Sequence, residues 1–307
     1  MKYILCQPAI NRFKWELEVC LTNLKKLGIK DIVLLFSRHD DQIPIFFEKE
    51  YGVEVHVYDD LRDDKEYIPS IKPYLWWKYL EEDHSREDDR YFYIDSDVIF
   101  NKRINLRKLP SKDDVWYCSD CCSYLSLDYI RSCENGENIL KDMANIVNVR
   151  VESLETINTN SGGAQWVINR PKANYWKKVY LDSNRLYRYL RGQKTNVQIW
   201  TAEMWAQLWN MMYFNIGPKV HEELNFCFAT DPIEKFKEVK ILHNAGVTTN
   251  DEDLFFKGRY VTSTPFDEDL FFKGRYVTST PFDEDLSFVN KKKCSYAYVK
   301  AIKAVVR

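Results

Sequence analysis

The sequence predicts an α/β fold with a mostly parallel central sheet and flanking helices. Strand-like and helix-like segments alternate through the first hundred residues, as in sheets whose parallel strands are joined by crossover helices. The run 31–36 is short and almost wholly apolar, which is typical of a strand covered on both faces. In such folds ligands bind beyond the carboxyl ends of the strands, so the residues after each strand are the first candidates for a site.

A predicted helix over 11–27 carries Trp15, Val19, Leu21 and Leu24 near helical spacing, and Gly28 closes it. The second half is less regular, so we expect an irregular C-terminal part, with a tryptophan-rich helix over 197–212. The remaining predicted elements are strands over 2–6, 31–36, 53–58 and 91–94, and helices over 43–51 and 74–82.

Composition indicates a folded protein. Apolar residues make up 45% and charged residues 29% of the 307 residues. The net charge of −2 gives no general nucleic-acid signal, although the last residues, 287–307, form a basic tail. No segment is typical of a signal peptide or a membrane span, so we expect a cytoplasmic protein.

A perfect tandem duplication lies near the C-terminus. Residues 251–266 recur unchanged as 267–282, and a third copy begins at Asp283. Two copies of 16 residues are too few for a stable repeat array, so a duplicated surface loop or lid is the better interpretation. The expected organisation is therefore a main domain over 1–250, the repeat over 251–286 and the basic tail over 287–307.

The end of the first strand lacks the glycine-rich phosphate-binding loops of nucleotide enzymes. Neither G-x-G-x-x-G nor G-x-x-x-x-G-K-[ST] is present, which disfavours dinucleotide oxidoreductases and P-loop NTPases. The strand ends instead in Cys6-Gln7-Pro8. Gln7 and Pro8 are therefore candidates to contact the edge of a nucleotide base.

The segment Asp95-Ser96-Asp97 carries the clearest chemistry. Two carboxylates separated by one residue repel each other unless a cation compensates them. Mg²⁺ and Mn²⁺ prefer oxygen ligands and commonly bridge protein carboxylates to substrate phosphates. At the end of a buried strand, Asp95 and Asp97 thus predict a divalent metal site.

Two later segments join this one in a resemblance to a known family. They are Asn160-Ser161-Gly162-Gly163, which is followed by Ala164 and Gln165, and His243-x-x-Gly246. In that order they resemble the D-x-D, Asn-Ser/Ala-Gly and His-x-x-Gly motifs of GT-A glycosyltransferases, similar to the glycogenin and bacterial galactosyltransferase-like group. The opening residues are also similar to phage-type glycosyltransferases. The resemblance implies a Rossmann-like GT-A fold over residues 1–250.

The resemblance also implies roles for single residues. Asp95, Asp97 and His243 would hold Mn²⁺ or Mg²⁺, and Asp95 would also contact the donor ribose. Asn160, Ser161, Gly162 and Gly163 would lie against the donor sugar, and Gly246 against the nucleotide sugar. The family's Lys-Pro-Trp after the glycine is absent here. Lys257 in the first repeat, or its copy Lys273, would then meet the pyrophosphate.

Glu203 and Gln165 are the predicted catalytic residues. Glu203 lies on the helix over 197–212. It could remove the proton of the acceptor hydroxyl in an inverting enzyme, or stabilise the transition state in a retaining one. The alternative is a plain surface glutamate. Trp200, Trp205 and Trp209 are near helical spacing and favour a core stripe. Upstream, further residues could face the donor, though no spacing selects among them: Lys72, Tyr74 and Lys78.

The predicted function is therefore metal-dependent transfer of a sugar from a nucleotide-diphosphate sugar, a UDP-sugar, to an acceptor hydroxyl. A hydroxymethylated DNA base and a surface glycan are both open as acceptors. The alternatives are a nucleotidyltransferase of the same fold and a non-catalytic carbohydrate-binding protein. A haloacid dehalogenase-type phosphatase is disfavoured because Ile99 stands where that motif has Thr or Val.

Overall fold

The computed structural model describes residues 1–260 and 280–306. The strands within them are β1 Lys2–Pro8, β2 Ile32–Ser37, β3 Glu54–Tyr58, β4 Arg90–Tyr93, β5 Val98–Phe100, β6 Val115–Asp120, β7 Gly162–Asn169, β8 Gly217–Val220, β9 Phe226–Phe228 and β10 Ile241–His243. They form a seven-stranded sheet with the order β3-β2-β1-β4-β7-β6-β8 and a three-stranded sheet with the order β5-β10-β9.

The large sheet is parallel except at β7. Strands β3, β2, β1 and β4 pair in parallel, and β7 runs antiparallel to both of its neighbours, β4 and β6. The carboxyl ends of β1, β4 and β6 therefore share one edge with the start of β7. This edge gathers Gln7, the Asp95–Asp97 turn and Gly162, which are far apart in sequence.

Helices cover the sheet. They are α1 Asn11–Lys26, α2 Gln42–Phe46, α3 Ile71–Glu82, α4 Cys122–Leu125, α5 Leu127–Ser132, α6 Gly136–Val147, α7 Val151–Glu155, α8 Ala173–Arg191, α9 Ala202–Tyr213, α10 Lys235–Glu238 and α11 Cys294–Ile302. Helix α8 packs against both α3 and α9, and Trp76 of α3 stacks on Trp176 of α8 with ring centroids 4.8 Å apart. Such aromatic stacking, buried in the main core, fixes the helix layer against the strands.

A second, smaller core lies beside the three-stranded sheet. Helix α11 buries Tyr298, Val299 and Ile302 in the same cluster as Trp15 and Val19 of α1. The basic segment 287–307 thus contains a helix that packs on the body of the protein. No helix of the described ranges combines the length and apolar character that crossing a membrane requires.

Most of the predicted elements are confirmed. The four predicted strands and the helix over 11–27 are present, and Gly28 follows α1 in the left-handed conformation, with φ of +69°. The predicted helix over 197–212 begins later, at Ala202, after a 3-10 turn over Ile199–Thr201. Gln198 explains the delay, because its carbonyl accepts hydrogen bonds from both the backbone and the hydroxyl of Thr201.

The duplicated segment is only partly described. Residues 251–260 of the first copy are present, and so are 280–286, which end the second copy and begin the third. Leu254, Phe255 and Phe256 are buried, and the hydroxyl of Tyr260 donates to a carboxylate oxygen of Glu284 at 2.6 Å. Residues 261–279, including Lys273, lie outside the described part of the chain.

Candidate active site

The Asp95–Asp97 turn is the centre of the site. It connects β4 to β5 and therefore passes from the large sheet to the small one. Asp97 is only 3% exposed, whereas Asp95 is partly open. Two further contacts hold the turn: the backbone carbonyl of Asp97 accepts a hydrogen bond from the backbone of Asn244, and the hydroxyl of Ser96 donates to Glu16.

Strand register brings His243 to this turn. In the small sheet His243 pairs with Val98, the residue that follows Asp97. Its Nε2 consequently lies 3.2 Å from Oδ1 of Asp97 and 3.8 Å from Oδ2 of Asp95. Burial by itself lowers the pKa of His243, but the charge and hydrogen bond of Asp97 outweigh burial, so the pKa lies above its usual value.

Asp95, Asp97 and His243 form a group with the composition of a metal site. One ligand atom from each lies within 4.8 Å of the others. Two carboxylates and one imidazole suit Mn²⁺, and the carboxylates also suit Mg²⁺. The residues present therefore fit a divalent ion, which Asp95, Asp97 and His243 would hold.

A different lysine compensates each of the two carboxylates. The ammonium group of Lys257 forms an ion pair with Oδ2 of Asp97. Burial would raise the pKa of Asp97, but Lys257 and then His243 hold it far below its usual range. Nζ of Lys72 lies 3.4 Å from Oδ1 of Asp95 and 3.6 Å from Oε2 of Glu203.

Glu203 is buried at the start of α9 and belongs to this charge network. Its side chain is 4% exposed, so the surface interpretation of this glutamate is wrong. Burial raises the pKa of Glu203, while the nearby charge of Lys72 acts in the opposite direction. A carboxyl group with a raised pKa, facing a cavity, is typical of an acid or base in catalysis.

These groups line one cavity of about 460 Å³ at the carboxyl edge of the sheet. That volume is in the range of small-ligand sites. The predicted site residues that line it are Gln7, Pro8, Asp95, Asp97, Glu203, His243, Gly246 and Lys257. The edge of the parallel strands thus brings together residues from position 7 to position 257.

Four other predicted residues lie beside the cavity without lining it. The side-chain oxygen of Asn160 accepts from the backbone of Val220 at 3.0 Å, and the hydroxyl of Ser161 donates to the carbonyl of Asn158. A Cβ atom on Gly162 would lie 2.0 Å from Sγ of Cys118, and one on Gly163 would lie 2.5 Å from Cε of Met204. Both glycines therefore allow close packing at the start of β7.

Gln165 also lies outside the cavity lining, in a bulge of β7. Cys118 pairs with Trp166 and the next residue, Ser119, pairs with Gly163, so Ala164 and Gln165 are extra residues in the ladder. Ala164 adopts a φ of +56° and lines the cavity. Gln165 is fully buried, and its Nε2 lies 3.4 Å from Nδ1 of His243.

Sequence reasoning missed part of the site. Arg12 and Glu16 line the cavity, with Nε of Arg12 3.5 Å from Oε1 of Glu16. Their i,i+4 spacing on α1 is the signal that could have found them. Among the three upstream candidates only Lys72 lines the cavity: Lys78 pairs with Glu81, and the hydroxyl of Tyr74 donates to the carbonyl of Asp59.

Trp200 also lines the cavity, whereas Trp205 and Trp209 are fully buried in the core. The predicted core stripe is confirmed for the last two only. The 3-10 turn before α9 explains the difference, because it takes Trp200 off the helical face that the other two share.

Comparisons with known proteins give distant likenesses. No family model matches the chain, and no curated protein matches it. A solved structure of the galactosyltransferase LgtC in complex with donor and acceptor sugar analogues is similar over 100% of this chain and 97% of its own, with 11% identity and a TM-score of 0.49. The bifunctional glycosyltransferase WbbM has 11% identity and a TM-score of 0.47 over 80% of this chain, which spans only 45% of WbbM.

A third solved structure is a glycosyltransferase involved in glycosylation of the major capsid of PBCV-1. It has 11% identity and a TM-score of 0.41 over 81% of this chain and 95% of its own. The resemblance to phage-type enzymes has no support in these structures. At such identities and scores, the likenesses say nothing about the chemistry of this chain.

Proposed function

We propose that this protein is a glycosyltransferase that moves a sugar from a nucleotide-diphosphate sugar to an acceptor hydroxyl. We further propose that the donor is a UDP-sugar and that Mn²⁺ or Mg²⁺ is required. One observation carries the proposal: Asp95, Asp97 and His243 converge beside two lysines in a single cavity at the carboxyl edge of a parallel sheet. This arrangement suits a diphosphate, which needs cations on several of its oxygens at once.

Asp95, Asp97 and His243 would hold the ion in this proposal. A divalent ion supplies Lewis-acid neutralisation of the charge that builds on a diphosphate leaving group. The buried carboxylate of Asp97, already stabilised as an anion, is suited to bind it. Asp95 is more open and lies on the cavity side, where a ribose could also reach it.

Lys257 would bind the diphosphate. Its ammonium group now bonds to Asp97, which is an oxyanion like the diphosphate. With a metal ion held by Asp97, the ammonium group of Lys257 would be free to bind the diphosphate instead. The first copy of the repeat would thereby contribute one wall of the donor site.

Glu203 would act at the sugar. Lys72 connects it to Asp95 by two contacts of 3.4 and 3.6 Å, so Glu203 lies close to the proposed metal ligands. Its raised pKa suits a proton acceptor for the acceptor hydroxyl, and its charged form would also stabilise a developing oxocarbenium ion. Both roles require the carboxyl group.

The test is hydrolysis of a panel of UDP-sugars by the purified protein with and without Mn²⁺. We expect Mn²⁺-dependent release of UDP from one sugar nucleotide, with loss of release in Asp97→Asn. Absence of both binding and hydrolysis across the panel would contradict the proposal. Once the donor is known, hydroxymethylated DNA and a neutral oligosaccharide can be compared as acceptors at rising salt, because contacts to DNA phosphates weaken steeply with salt.

A further inference from the structure

The hydroxyl group of Ser119 lies between two oxygen atoms. Its Oγ is 2.6 Å from Oε1 of Gln165 and 2.7 Å from the carbonyl oxygen of Leu224. A hydroxyl carries one hydrogen, so it can donate to only one of two acceptors. Ser119 and Gln165 both have no exposed surface, and an oxygen pair at 2.6 Å without a hydrogen between them is costly there.

Reversing the amide of Gln165 resolves this conflict. The oxygen and nitrogen of an amide are distinguished by their hydrogen bonds, not by their shape. With the amide reversed, Ser119 donates to Leu224 and the amide nitrogen of Gln165 donates to the hydroxyl oxygen of Ser119. The hydroxyl of Ser119, the carbonyl of Leu224 and the amide nitrogen of Gln165 then each have a partner of the right kind.

The reversal has a consequence for His243. The amide atom that lies 3.4 Å from Nδ1 of His243 becomes an oxygen, which can only accept a hydrogen bond. Nδ1 must then carry the proton. The other ring nitrogen, Nε2, faces Oδ1 of Asp97 and Oδ2 of Asp95.

We propose that Gln165 is a positioning residue that keeps the proton of His243 on Nδ1 and so leaves the lone pair of Nε2 for a divalent cation. A series of hydrogen bonds sets this orientation. It runs from the backbone carbonyl of Leu224 through the side chains of Ser119 and Gln165 to His243. Histidine ligands in metal sites commonly have such a partner on the second nitrogen. The cation itself rests on the proposed function, whereas the hydrogen bonds among Leu224, Ser119 and Gln165 do not.

The bulge in β7 explains why Gln165 can reach His243. Because Ala164 and Gln165 are extra residues in the ladder, the bulge bends the strand and changes the direction in which its side chains point. Gly163, directly before them, has no room for a side chain beside Met204 and Leu125. The glycine pair and the bulge together hold the glutamine behind the histidine.

The first measurement is the tautomer of His243, by ¹⁵N NMR of the histidine rings in the full chain carrying Asp97→Ala, without metal, because the carboxylate of Asp97 that faces Nε2 would itself attract the proton. The chain has five histidines, and His221 provides an internal reference because its Nδ1 accepts a hydrogen bond from the backbone of Glu223 at 3.1 Å. We expect the neutral rings to show opposite tautomers, with the proton on Nε2 in His221 and on Nδ1 in His243. A neutral His243 that carries its proton on Nε2 overturns the proposal.

The second measurement is Mn²⁺ affinity by calorimetry in two variants. Gln165→Met keeps the length of the side chain without the hydrogen bonds, and we expect affinity to fall ~10-fold to 100-fold, the usual effect of losing such a partner. Gln165→Glu keeps an acceptor oxygen and should retain both the affinity and the Nδ1 proton. Asn210→Leu is the matched control, since Asn210 is a fully buried amide that does not line the cavity.

The outcomes separate this inference from the proposed function. If the wild-type protein binds no Mn²⁺, the proposed function loses its metal, while the tautomer measurement still tests Gln165. If the wild type binds Mn²⁺ and Gln165→Met, folded as judged by its thermal transition, binds it equally well, the positioning role is wrong.

Discussion

Lys257 and Asp97, 160 residues apart in the sequence, form an ion pair in the lining of the cavity. The lysine belongs to the first copy of the repeat, and the aspartate belongs to the turn between the two sheets. Their contact makes the repeat part of the candidate active site. It also means that the ammonium group and a divalent ion compete for the same carboxylate.

Replacing Lys257 by Gln should separate these two roles. Mn²⁺ affinity should rise by several fold, because a competing cation leaves Asp97, whereas UDP-sugar affinity should fall ~10-fold or more with the loss of a charge-assisted hydrogen bond. Calorimetry with each ligand measures both effects. Lys240→Gln is the control, because Lys240 pairs with the buried Glu223 and does not line the cavity. Weaker Mn²⁺ binding in Lys257→Gln would exclude the competition.

The raised pKa of His243 predicts how the metal-free protein responds to pH. A group whose folded-state pKa lies above its unfolded value of about 6.5 contributes stability that is fully present below that value. This contribution is lost as the pH rises through the folded-state pKa. Thermal unfolding followed from about pH 6 upwards should therefore show a decline, as the pH rises through the folded-state pKa of His243, that His243→Gln lacks. An unchanged pH profile in the variant would assign the decline to other groups.

Metal binding should have the opposite pH dependence. A metal ion needs the lone pair of Nε2, so Mn²⁺ must displace a proton from His243 when the ring is charged. Mn²⁺ affinity should therefore rise with pH up to the raised pKa of His243 and level off above it. Calorimetry in buffers of different ionisation enthalpy would detect the released proton. Affinity that is flat over this range would argue against His243 as a ligand.

Glu203→Gln should reduce turnover without removing metal binding. The substitution keeps the shape of the side chain but abolishes its charge and its ability to accept a proton, and such groups contribute about 100-fold or more to the rate. We expect kcat to fall by at least that factor while Mn²⁺ affinity changes little. Glu81→Gln, at an exposed carboxylate that pairs with Lys78, is the control. A fall in UDP-sugar affinity with unchanged kcat would assign Glu203 to binding.

Ser96→Ala should weaken metal binding through the turn itself. The hydroxyl of Ser96 donates to Oε2 of Glu16 at 2.7 Å, and both side chains are buried, so this bond fixes the residue between the two aspartates. Mn²⁺ affinity should fall ~10-fold and recover in Ser96→Thr. Ser183→Ala removes a comparable buried hydroxyl, which donates to Tyr180, and should leave the affinity unchanged.

Deleting residues 261–276 should preserve the site. The deletion joins 251–260 to 277–286 and restores a single uninterrupted copy of the repeat, followed by the same residues as before. The contacts of Lys257 with Asp97 and of Tyr260 with Glu284 involve residues that are all retained. UDP-sugar affinity should stay within a few fold of the wild type. A loss of binding in a deletion protein that still unfolds cooperatively would assign a role to the second copy.

The deletion also shows whether Lys273 can replace Lys257. In the full chain Lys257→Gln leaves Lys273 in an identical local sequence, whereas in the deletion protein no copy remains. Equal losses of UDP-sugar affinity in the two backgrounds would mean that Lys257 alone serves the site. A larger loss in the deletion protein would mean that Lys273 substitutes.

Local pattern alone predicted the parallel part of the sheet, the helix over 11–27 and the Asp95-Ser96-Asp97 turn. These features depend on periodicity and on neighbouring residues, which a sequence displays directly. The resemblance to a known family contributed His243 and Gly246. The repeat offered two equivalent lysines, Lys257 and Lys273, without a choice between them.

The tertiary structure decided the contacts that join distant segments. The pairing of β10 with β5 sets His243 against Asp97, the bulge in β7 sets Gln165 behind His243, and the fold of 251–260 brings Lys257 to Asp97. Strand pairing and strand bulges depend on how whole sheets close, and a shift of one residue would reverse the face on which a side chain lies. Sequence spacing contains no such information, and so the partners of Asp97 could be found only in the folded chain.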